Sequence, residues 1–123
     1  NGRDAHYNHS RYAQLNYHSV FTKGTIEFRL FQFDKPDGNR KNGLHAGQLK
    51  TFIQLSLALS QMAKEVKTAS PKKSTSDNKK FLMRTWLIRL GMVGEEFKTA
   101  RKTLMNNLSG NAAWRYGNPT ATA

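Results

Sequence analysis

The chain has 123 residues, enough for one domain with a modest core, and its 37% hydrophobic, 11% aromatic and 23% charged residues exclude a disordered segment. It has no cysteine, which excludes disulfides and thiolate metal sites. Twenty Lys and Arg against eight Asp and Glu give a formal charge of +12, a field that attracts nucleic acid, nucleotides and other anions. The longest apolar run, FIQLSLAL, is interrupted by Gln54 and Ser56 and falls far short of the roughly 20 residues of a membrane-spanning helix. The opening NGRDAHYNHSRY lacks the basic start and apolar core of a signal peptide, and a chain beginning at Asn1 reads as a truncated start. A cytoplasmic setting is the expectation.

In chain order, the first ten residues are polar and irregular. RYAQLNY, 11–17, reads as a strand, and Thr25 to Phe33, rich in β-branched and aromatic residues, as a stronger one, with the turn at Lys23-Gly24. Alternation places Ile26, Phe28 and Leu30 on one face of that second strand and Glu27 and Arg29 on the other. DKPDGNRKNG, 34–43, has the composition of an exposed turn. From 44 to 67 the apolar residues cover more than half of a helical wheel, which predicts a long, mostly buried helix packed on the Ile26, Phe28 and Leu30 face. TASPKKSTSDNKK, 68–80, reads as a basic flexible connector. Two shorter helices are expected near Lys79–Leu90 and Glu95–Leu108, cornered by Gly91 and Gly94 and ended by Ser109-Gly110, followed by a weakly structured tail, 109–123. The fold class is thus α+β: a partial antiparallel sheet of two strands on a long helix, with a helical hairpin extension over 81–108.

Glu27 and Arg29 lie two strand residues apart, about 7 Å, so both side chains can reach one ligand. An ordinary surface ion pair accounts for such a pair, and so does a Mg²⁺ and phosphate site: a carboxylate is a hard oxygen ligand, and the planar guanidinium fork fits phosphate oxygens. Spacing alone leaves both readings open.

RYAQLNYHSVFTKGTIEFRLFQF followed by LHAGQLKTFIQL resembles the core signature of the bacterial amidoligase family, in the carboxylate-amine ligase superfamily with glutamine synthetase. The resemblance rests on RYxxLN, GTIEFR and LHAG in that order and covers about residues 9 to 66. It implies part of a glutamine synthetase-like fold, with 1–67 as the C-terminal part of a catalytic domain. The implied reaction is ATP-dependent amide formation, in which a carboxylate is phosphorylated and an amine displaces the phosphate. Glu27 is then a Mg²⁺ ligand, Arg29 a phosphate or acyl-phosphate contact, Arg11 a second phosphate contact and Asn16 a polar site residue. Arg11 and Asn16 have opposite parity on an unbroken strand, so a bend is needed if both face one site. The family draws its other metal-binding carboxylates from earlier strands, which Asp4, Asp34 and Asp37 do not match, so the chain is expected to be an inactive fragment by itself. The implied substrates are a carboxylate and an amine, with a peptide, a protein and a cell-wall precursor as candidates.

The alternative from another class is a basic nucleic-acid-binding module carried by the lysines between 64 and 80, or a degenerate ligase domain kept as a scaffold. Trp86 and Trp114 could stack a base, although a helical tryptophan is more often core. His45, at a helix entry, is read as capping or packing there without doing chemistry. His6, His9 and His18 lack the spacing of a zinc site, and no Ser, His and Asp set stands in motif context.

Overall fold

The computed structural model describes residues 8–33 and 45–119. They fall in two compact units, 8–33 and 45–119. Asp4, His6, Asp34, Asp37 and the 34–43 turn lie outside the described residues.

The first unit is built from short pieces. A 3-10 turn, His9–Tyr12, is followed by β1 (Leu15–Asn16), α1 (Ser19–Lys23) and β2 (Glu27–Phe28). β1 and β2 pair antiparallel, with Leu15 opposite Phe28 and Asn16 opposite Glu27. The pairing is extended by one bond, from the N–H of Arg29 to the Gln14 carbonyl at 2.7 Å. The two expected strands, 11–17 and 25–33, are therefore much shorter, and the reason is local. Asn8 accepts the N–H of Ser10 on its side chain at 2.9 Å, and Asn16 accepts that of His18 at 2.9 Å. Each such bond turns the backbone out of an extended ladder. The turn expected at Lys23-Gly24 is the end of α1, which stops at Gly24, φ 68, with the Gly24 N–H on the Val20 carbonyl. Ile26, Leu30 and Phe33 are exposed.

The second unit is helical: α2 (Ala46–Glu65), α3 (Lys79–Arg89) and α4 (Lys98–Met105). Of the two readings of His45, capping is the one observed, its Nδ1 accepting the Gln48 N–H at 3.3 Å. Within this unit α2 packs on α4. A side chain at Gly47 would meet Thr99 Cγ2 at 3.0 Å and His45 Cε1 at 2.9 Å, so glycine sets the closeness of that approach. Only Thr51 and Leu55 of α2 are buried, whereas Leu49, Ile53 and Leu57 are exposed. Within the helical unit α2 is thus buried along one stripe, the side that α4 covers. The packing expected between this helix and the second strand would be a contact between the two units and is a property of neither.

α3 ends in a Schellman motif. Gly91, at φ 78, donates to the Ile88 carbonyl, and Met92 donates to that of Leu87 at 3.0 Å. Leu87 and Met92, the positions whose apolar contact accompanies such an end, are both fully buried. Glu95 and Glu96 precede α4 instead of opening it, and Arg101 Nη1 donates to the carbonyls of Met92 and Gly94 at 3.1 and 2.8 Å, fixing the corner.

The described residues after α4, 106–119, form turns and bends and are hydrogen-bonded to the start of α3. Asn78 is the reason: its Oδ1 accepts from Phe81 N at 3.1 Å and Asn111 N at 3.0 Å, while its Nδ2 donates to the carbonyls of Trp114 and Arg115 at 2.7 and 3.1 Å. Lys80 N also donates to the Ser109 carbonyl at 3.0 Å. Asn78→Ala is expected to lower unfolding stability by about 1–2 kcal/mol, the upper range for a helix cap. Amide exchange should quicken at Phe81 and Asn111, and Asn78→Asp, which keeps the acceptor, should protect both again. Unchanged exchange in the alanine variant would remove Asn78 as the tie.

Candidate functional site

The 3-10 turn, β1, α1 and β2 enclose a cleft of about 140 Å³ lined by Arg11, Asn16, His18, Ser19, Thr22, Lys23 and Glu27. Its fixed point is the Asn16–Glu27 pair. The register of the two strands sets these residues opposite each other, and Asn16 Nδ2 donates to Glu27 Oε2 at 3.0 Å. Asn16 is itself buried, 4% exposed, with its Oδ1 on the His18 N–H at 2.9 Å and its Nδ2 also 3.5 Å from Ser19 Oγ. Its amide is therefore fully oriented, and it holds an exposed carboxylate at the cleft.

Arg11 and Asn16 line one cleft although their positions have opposite parity. The bend this requires is the 3-10 turn His9–Tyr12, which takes Arg11 off the strand altogether. Arg29 is placed differently from Glu27. Its Nη1 donates to the Arg11 carbonyl at 2.9 Å, and it is not among the cleft-lining residues. The guanidinium carbons of Arg11 and Arg29 lie 5.6 and 5.7 Å from the Tyr12 ring centroid, two cations on one aromatic ring.

The second cation lining the cleft with Arg11 is Lys23, which sequence reasoning did not select. The signal was present as a lysine in a last helical turn followed by a left-handed glycine, but a five-residue helix is too short to show an apolar period. His18 was likewise passed over. It is buried, its Nδ1 stands 3.5 Å from Ser10 Oγ, and it meets Phe21 edge to face at a centroid distance of 6.3 Å. Chemically, the cleft presents one oriented carboxylate with Arg11 and Lys23, suited to a cation and an anion bound side by side. Among the described residues, no group of three or more His, Asp and Glu side chains is placed to hold a metal ion by itself. Among them too, no helix is long and apolar enough to cross a membrane.

Residues 1–60 match the family model described as "Putative amidoligase enzyme". No curated protein and no solved structure matches the chain. The match takes in the 3-10 turn, both strands and α1, hence every residue of the cleft, and ends inside α2. Over residues 1–60, which carry RYAQLN, GTIEFR and LHAG in that order, the chain is similar to the amidoligase family.

Proposed function

We propose that the cleft is part of an ATP- and Mg²⁺-dependent ligase centre that joins a carboxylate to an amine through an acyl phosphate, in a cytoplasmic setting. The observation that carries this reading is the exposed Glu27 carboxylate, oriented by buried Asn16 in a cleft that also holds Arg11 and Lys23. Mg²⁺ is commonly bound through one or two carboxylates together with substrate phosphates, so one oriented glutamate fits an ion that arrives with a nucleotide. Among the described residues, Asn16 is the hydrogen-bond partner of Oε2, and Oε1 has none.

In this reading Glu27 is the protein's contact to the ion and Asn16 is the positioning residue that holds it. Arg11 and Lys23 supply positive charge where phosphate oxygens gather, and Arg29, on the same tyrosine ring as Arg11, is the third cation of the phosphate contact. Bound Mg²⁺-ATP supplies the phosphoryl group, and catalysis of its transfer consists chiefly of positioning and charge stabilisation. The β1 and β2 pair then belongs to the larger sheet of a glutamine synthetase-like fold. The test is calorimetric titration of a non-hydrolysable ATP analogue with and without Mg²⁺. Binding should depend on the ion; equal binding in its absence removes the metal from the reading.

A further inference from the structure

A second cleft lies in the helical unit, outside the stretch that matches the amidoligase family. It is larger, about 530 Å³, and the loop before α3, α3 itself and the segment after α4 form its walls. Lys73, Lys79, Arg89 and Arg115 line it together with Phe81 and Trp86, and no carboxylate is among its lining residues. Among the described residues, Lys73, Lys79 and Arg89 have no salt-bridge partner. The unit as a whole is strongly basic, with thirteen Lys and Arg against four Asp and Glu over residues 45–119. Trp86, for which a core position was the more frequent expectation, is only half-buried at this surface.

Two features specify the ligand. Four cations with no acid among the lining residues call for a polyanion, and the half-buried aromatic side chains beside them suit planar, uncharged rings. Lys79 and Arg89 are separated by ten helical residues, a rise of about 15 Å, so their charges serve several successive phosphates and not the phosphate group of one nucleotide. A duplex keeps its bases stacked inside and offers no ring faces to Phe81 and Trp86. We propose that this cleft binds single-stranded nucleic acid, with phosphates on Lys73, Lys79, Arg89 and Arg115 and bases against Phe81 and Trp86. The site is independent of the ligase reading, since none of its residues lines the Asn16–Glu27 cleft.

The experiment is fluorescence anisotropy of the whole 123-residue chain with a labelled oligothymidylate of about 12 nucleotides. Affinity should fall with salt at a log–log slope of about −3, as expected for four phosphate contacts to a single strand. The double variant Lys73→Gln/Lys79→Gln, at two exposed positions, should weaken binding and reduce that slope by about 1.4. Trp86→Leu should cost about 10-fold or more, with circular dichroism confirming that its helices persist. Glu27→Gln and omission of Mg²⁺ should change nothing. The proposal is overturned by an absence of binding at about 50 mM salt, by full affinity in the double lysine variant, by a duplex that binds as tightly, or by displacement of the strand with stoichiometric ATP.

Discussion

Glu27→Gln is expected to abolish Mg²⁺-dependent nucleotide binding while leaving the fold intact. Glutamine keeps the length of the side chain and retains an amide oxygen that can accept the Asn16 Nδ2 hydrogen bond, now 3.0 Å long, so the β1 and β2 register has no reason to change. What is lost is the negative charge, the property a hard divalent cation requires. Removal of a group that only orients a metal ligand typically costs 10- to 100-fold in metal affinity, so loss of the ligand itself should exceed about 100-fold. Asn16→Ala provides the comparison. It leaves the carboxylate but removes its anchor, and should weaken the same binding by about 10- to 100-fold. Titration with Mn²⁺ as a spectroscopic substitute, read by electron paramagnetic resonance with and without nucleotide, separates the two. Equal behaviour of wild type and Glu27→Gln would show that Glu27 is an ordinary surface carboxylate. Amide formation by this chain alone, given ATP, Mg²⁺ and amines, is expected to be undetectable, because one oriented carboxylate in the cleft does not assemble a phosphoryl-transfer site by itself.

Gly110→Ala is expected to be the most damaging single methyl in the helical unit. Gly110 has φ +100, a conformation that L side chains rarely adopt, and an added Cβ would run into Asn78 Oδ1 and stand 2.9 Å from Asn78 Cα. A flexible side chain could give way, but Cα cannot, and the Asn78 side chain is held by four hydrogen bonds, one capping α3 at Phe81 and three tying that cap to residues 111–115. Backbone strain and overpacking together should cost about 2–5 kcal/mol, a large share of the stability of a small domain. Gly117→Ala is the control, since Gly117 also has a positive φ, +91, but nothing within 4 Å of the added atom. Urea denaturation should show the Gly110 variant clearly less stable than the Gly117 variant. Similar midpoints would mean that the close approach to Asn78 contributes nothing.

The helices of the second unit were legible because their signals are local. The apolar period over 44–67 and the glycine at 91 lie within a turn or two of the boundaries they set, and the observed Ala46–Glu65 and Lys79–Arg89 fall inside the expected ranges. α4 is shorter than expected at both ends, Lys98–Met105 against 95–108: the acidic pair expected to open it instead precedes it, and Arg101 closes the corner from within the helix. The strands were overestimated. Composition over 25–33 favours extended backbone, but a strand exists only as far as its partner runs, and Asn8 and Asn16 turn that partner away after a few residues.

By itself, then, the sequence determined the sign of the charge, the exclusion of thiol chemistry, the spans of the longer helices and the ordered motifs by which residues 1–60 match the amidoligase family model. The tertiary structure alone decided which of those residues meet. It set Asn16 against Glu27 across eleven positions, sent Arg29 to the Arg11 carbonyl, brought Lys23 into the cleft, and tied Asn78 to residues more than thirty positions away. The reason is one of range. Caps, periods and charges act between neighbours and can be read along the chain, whereas a hydrogen bond across a strand pair or between a helix cap and a distant loop depends on register and chain direction. No single residue type encodes these.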